Sequence, residues 1–137
     1  MASNQGTYTR SLTVAGADIG VRGAGTFVTD SFTNDNNESL FVTAVVSAAS
    51  GTGQTMTHNL QWSPDNGTTW LDLDATNAVS PNLAAAGNSG YVVGRGLVAA
   101  AAASANQPIP RLLRVSVTIG GTTPSYTFTG IYVNGAL

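Results

Sequence analysis

A chain of 137 residues with seven acidic residues, five arginines and no lysine carries a formal charge of −2, and only 9% of its positions are charged. That balance leaves no basic footprint for a phosphate backbone, so nucleic-acid binding is not expected. The absence of cysteine excludes disulfides and thiolate metal sites.

Polarity comes instead from 18 threonines and 12 serines, residues that suit strands and turns respectively. The length fits one domain, divided into a small polar arm over residues 1–6 and a single folded unit over 7–137. Met1–Gly6 has neither the basic start nor the apolar centre of a secretory signal. No apolar run approaches a membrane span, so no membrane partner is expected. A lightly charged surface resists association poorly, which makes sense where partner subunits cover it.

Thr7–Val14 alternates, with Tyr8, Leu12 and Val14 on one face and Arg10 near the rim. Ala15–Gly25 contains four glycines and reads as a loop. Thr26–Phe32 is a strand with Phe27 and Phe32 covered, and Thr33–Glu38 is a polar turn. Its Asn34, Asn36 and Glu38 oxygens invite a calcium reading, but the ligand order and glycine of an EF-type loop are missing. Ser39–Ser47 has apolar residues on both faces, as in a strand covered on two sides. Gly51-Thr52-Gly53 then reads as a turn.

Met56, His58, Leu60 and Trp62 share one face of the next strand, the clearest period-2 pattern in the chain. Ser63–Trp70 reads as a tight, self-bonded turn before a strand over Trp70–Leu73. Asp65 accepts from backbone N–H groups ahead of it, and Asn66-Gly67 tolerates positive φ. The spacing of Ser63, Asp65, Gly67, Thr69 and Trp70 matches the Asp-box hairpin of sialidase-like propellers. A propeller repeats that box blade by blade, whereas here it occurs once, so these five residues are read as architecture.

Residues 74–90 read as a long surface excursion, Tyr91–Val93 as a short strand, and the Ala-rich Leu97–Ala105 as two turns of helix held by packing. Arg111–Ile119 alternates, with Leu113, Val115, Val117 and Ile119 inward and Arg114, Ser116 and Thr118 outward. Gly120–Pro124 reads as a turn. Ser125–Val133 follows, with Tyr126, Phe128 and Tyr132 on one face. Segments 39–63 and 111–133 share a loose plan of strand, Gly/Thr turn and strand. Together these patterns specify an all-β antiparallel sandwich of seven or eight strands, jelly-roll or immunoglobulin-like, with little helix.

No catalytic constellation emerges, and no cofactor or metal is expected. His58 lies in the inward register without a thiol or motif partner and reads as a packed or interface histidine. Asp72 and Asp74 share a strand face at i, i+2, a spacing that can serve glycoside chemistry but also marks a solvated face. The acceptor patterns at Asn37 and Asn66 lack an export signal beside them.

Two stretches, Leu60–Leu73 and Arg111–Phe128, resemble small β-sandwich virion proteins of tailed bacteriophages, above all capsid decoration (cement) proteins. The resemblance covers roughly residues 40–133 and rests on turn and strand patterns. It implies a non-enzymatic structural protein, made in the host cytoplasm and placed on the capsid exterior. Its partners would be the major capsid protein and itself, as a homotrimer. The alternative is a carbohydrate-binding or tail and baseplate module for host attachment, using Trp62, Trp70, Tyr91 or Tyr132.

Overall fold

In the computed structural model the described residues are 8–12, 19–35, 37–94 and 103–136, with 8–12 and 136 described by their backbone alone. They form nine strand segments and no helix. These are β1 (Tyr8–Leu12), β2 (Val21–Arg22), β3 (Gly25–Val28), β4 (Phe32–Thr33), β5 (Ser39–Trp62), β6 (Leu71–Asp72), β7 (Gly87–Gly94), β8 (Ser104–Asn106) and β9 (Leu112–Ala136). The class is all-β, as the alternating patterns require. All pairings are antiparallel except the three-residue parallel pair of β7 with β8.

β5 and β9 organise everything else. They run antiparallel from Ser39↔Ala136 to Trp62↔Leu113, and β1, β2, β3 and β4 line the far edge of β9. β7 and then β8 extend the sheet beyond the first half of β5. The shared plan of segments 39–63 and 111–133 is therefore a pairing relation, since each lies along the other.

Neither Gly51–Gly53 nor Gly120–Pro124 reverses the chain. They sit opposite each other, at Ser50↔Ser125, Thr52↔Thr122 and Thr55↔Gly120, where register shifts bend the ribbon. Extra residues in a ladder increase local bend and twist. The backbones approach so closely that side chains do not fit. A Cβ on Gly51 (φ +131°) would lie 2.9 Å from Pro124 Cα, and one on Gly121 (φ +112°) would lie 2.8 Å from Gln54 Cα. Thr123 is also held at φ 46°, a costly region for a β-branched residue.

This corner brings the two halves of the sheet over one core, giving the sandwich from one continuous hydrogen-bonded sheet. Leu40, Val42 and Ala44 from the first half of β5 join Met56 and Leu60 from the second. Val115, Val117, Tyr126, Ile131 and Val133 of β9 complete the cluster. Burying each full-sized aliphatic side chain stabilises the fold by about 1.5–3 kcal/mol. Across the layers, His58 of the second half meets Ser89 of β7, which pairs with Ala44 of the first.

Several expected faces change for a specific reason. The register jumps from Val45↔Gly130 to Val46↔Phe128, leaving Thr129 as an extra residue. The inward parity of β9 therefore switches from Tyr126 and Phe128 to Ile131 and Val133, and Tyr132 turns to the opposite face, half-buried. Ser116 is buried, not outward, with β3 paired at Val28↔Ser116. Phe41, expected under cover, is 50% exposed. The strand expected over Thr26–Phe32 is interrupted at Thr29, whose hydroxyl accepts from Val115 N at 3.0 Å. The expected loop over 15–25 contains β2 and the first residue of β3.

Of the surface excursion expected over residues 74–90, the last four belong to β7, and residues 73–86, although half of them are exposed, are tied to the sheet. They form a strap along the second half of β5, with Ala78 and Ser80 buried. Ser80 N donates to His58 O at 2.8 Å and Leu83 N to Met56 O at 3.0 Å. In return His58 N donates to Ser80 Oγ and Met56 N to Asn82 Oδ1. Serine and asparagine side chains thus stand in for the backbone acceptors of a missing strand. At the described end of the Ala-rich segment expected as helix, Ala103 is a turn residue and Ser104 and Ala105 already belong to β8, with Ala105 fully buried beside Val93. The polar arm 1–6, Asn36 and Leu97–Ala102 lie outside the described residues.

Candidate functional sites

The hairpin between β5 and β6 is built from its own side chains. The Ser63 hydroxyl donates to Asp65 Oδ1 at 3.0 Å and accepts from Gly67 N at 2.7 Å. Thr69 N donates to Asp65 Oδ1 at 2.6 Å. Hydrogen bonds from Thr69 hold the Asp65 carboxyl below the usual carboxylate range. Trp70 Nε1 donates to Gly67 O, and Asn66 takes φ 61°. The Arg114 guanidinium stacks over the Trp70 ring, 4.4 Å from its centroid, while its Nε donates to Gln61 Oε1. All five hairpin residues meet in one place, and the Ser63, Asp65 and Trp70 side chains are bonded within the turn.

His58 is sealed in the core with 1% of its surface exposed. Its Nε2–H donates to the Ser89 carbonyl at 2.8 Å, which leaves Nδ1 as the acceptor of the neutral ring. Nδ1 has no partner, nor does the buried hydroxyl of Tyr91, whose ring packs 5.1 Å away. Burial lowers the His58 pKa to about 4, against a smaller opposing effect of the Ser89 hydrogen bond. A side chain so enclosed cannot reach a substrate.

The carboxylates are likewise committed. Asp72 accepts from Asn59 and Gln61 side chains at 2.7 and 3.0 Å. Asp74 lies beyond the end of β6, not on a shared strand face, and accepts from Thr76 N and Asn77 N. Backbone donation from Asn77 is the main cause of its lowered pKa. In the 33–38 turn, the Asn34 side chain both donates to and accepts from Asn37 backbone groups. Among the described residues no three His, Cys, Asp or Glu side chains cluster as metal ligands. No described helix is long and apolar enough to cross a membrane.

Two surfaces stand out that sequence patterns did not locate. One is the outward face of β9, β5 and β7. Phe41 lies opposite Val92 on β7 and Asn134 on β9, and Thr43 lies opposite Tyr132 and Gly90. With Val45 and Asn88, this face carries no charged residue among its described members. The other is a pocket of about 390 Å³ beneath the hairpin, lined in part by Trp62, Ser63, Pro64, Asn66, Pro110 and Arg111. Tyr91 is buried and so unavailable for stacking on a ligand, because its strand faces inward at that position.

No family model matches this sequence, and comparison with curated proteins gives no match.

Proposed function

We propose that this protein is a structural virion component, a decoration protein that binds an assembled phage capsid and resists its disassembly. The observation that carries the reading is the uncharged outward sheet face centred on Phe41, exposed by half in the single chain. A sheet face left permanently in water normally carries charged residues, whereas apolar aromatic surface free of charge marks contact with another protein. The commitment of His58, Asp72 and Asp74 to internal hydrogen bonds supports a binding role over a catalytic one.

The mechanism is clamping. Each copy covers surface on neighbouring shell subunits, and binding to the assembled state alone shifts the equilibrium against separation. Copies linked as a homotrimer gain further through multivalency, and contacts of about 800 Å² per partner are typical of specific association. Cryo-electron microscopy of virions carrying the protein tests this: density for the sandwich belongs on the capsid exterior, and Phe41→Asp abolishes it while leaving the fold intact. Deleting residues 1–6 weakens occupancy more than stability. A protein never found on a particle, or a monomer that turns over a substrate, overturns the reading.

A further inference from the structure

The pocket beneath the hairpin is chemically one-sided. Two of its main-chain carbonyls are spent: Arg111 O accepts from Asn34 N, and Leu112 O accepts from Ser63 N. The Ser63 hydroxyl is spent too, donating to Asp65 and accepting from Gly67. Three polar side-chain groups remain without a hydrogen bond among the described residues, namely the Arg111 guanidinium, the Trp62 indole N–H and the Asn66 amide. Two of these only donate, and the third can donate. The rest of the lining is the Trp62 ring with Thr33, Pro64, Pro110 and Leu112.

From this geometry we infer that the pocket binds an acidic monosaccharide unit, with its carboxylate on Arg111 and its ring against Trp62. A guanidinium presents paired donors that match a carboxylate, and an indole supplies a flat apolar wall with one polar edge. The volume, about 390 Å³, lies at the small end of ligand pockets, roughly 300–1,000 Å³. An extended peptide is the poorer fit, because strand addition needs unpaired backbone groups and those at Arg111 and Leu112 are occupied. Two carboxylates bonded to lining residues already accept hydrogen bonds. Asp65 accepts from Thr69, and Asp35 accepts from Thr33, another lining residue. The site shares no residue with the Phe41 face and does not depend on the capsid reading.

The test is an amide NMR titration of the full chain with methyl β-glucuronide, methyl β-glucoside and N-acetylglutamate. The glucuronide should give saturable shifts at the amides of Trp62, Ser63, Asp65, Asn66, Arg111 and Leu112, with a dissociation constant on the order of 1 mM. The glucoside should bind at least tenfold more weakly. Arg111→Gln, at an exposed position, should lose the same factor with unchanged thermal stability, and Trp62→Phe should retain the fold while weakening binding severalfold. Absence of saturable shifts with the glucuronide, or an undiminished response in Arg111→Gln, overturns the inference. Equal binding of N-acetylglutamate also overturns it, and would assign the pocket to an acidic protein segment instead.

Discussion

The Ser63–Trp70 hairpin and the Gly51/Gly121 corner are drawn from the same glycine, threonine and asparagine vocabulary, yet they do opposite things. The hairpin reverses the chain, bringing Leu71 back beside Trp62, and the bonds of its Ser63, Asp65 and Trp70 side chains are made within four residues. The corner lets two strands pass through while turning both, and its contacts join residues about seventy positions apart. A small residue in a β-rich chain therefore has two readings. What separates them is whether nearby side chains satisfy the backbone or a distant strand does.

Substitutions can break or sharpen that contrast. The largest effect belongs to the corner. Gly121→Ala places a Cβ 2.8 Å from Gln54 Cα at a positive φ, and backbone strain with overpacking should cost about 3 kcal/mol or more. Chemical denaturation measures it, and a loss below about 1 kcal/mol would show that the corner is not tightly closed.

The layers that the corner brings together respond to acid. His58 titrates near pH 4 when folded and near 6.5 when unfolded, so the unfolded chain binds the extra proton between those values. Stability is therefore unaffected by this group above about pH 6.5 and falls as pH drops toward 4, by about 3 kcal/mol in all. His58→Gln should flatten that slope in urea midpoints measured at pH 7 and 4.5. Asp65 and Asp74, both held below their usual range, act only at still lower pH.

On the strap, Ser80→Ala removes the acceptor of a buried backbone N–H and should cost about 2 kcal/mol. Its effect should reach His58 by hydrogen exchange, as a long-range contact would. In the hairpin, Ser63→Ala removes one partner of Gly67 N and should cost about 1 kcal/mol. Its exchange changes should stay within residues 63–70, and spread into β9 would erase the distinction drawn here. Smallest of all, Asn66→Gly at φ 61° should shift stability by only about 0.5 kcal/mol or less.

Legibility followed the same division. The strand faces of Met56–Leu60 and Leu113–Ile119 were readable because burial follows a period of two, broken only at Ser116. The Ser63 and Asp65 chemistry was readable because its partners are adjacent. The strap was not, since Ser80 and Asn82 look like loop residues until β5 lies beside them. The face change at Thr129 depends on a bulge against Val45 and Val46, which no local pattern encodes. The Arg111–Trp62 pocket needs residues some fifty positions apart, and neither neighbourhood marks its partner.

The β5–β9 pairing also bears on how the chain matures. None of β1 to β5 can complete its contacts until residues 112–136 have been synthesised, because β9 is the common neighbour of them all. A nascent chain leaving the ribosome must therefore hold most of its apolar strands uncommitted, and such non-local topologies settle on the order of milliseconds to seconds. During that interval the emerging protein is most exposed to aggregation and to chaperones.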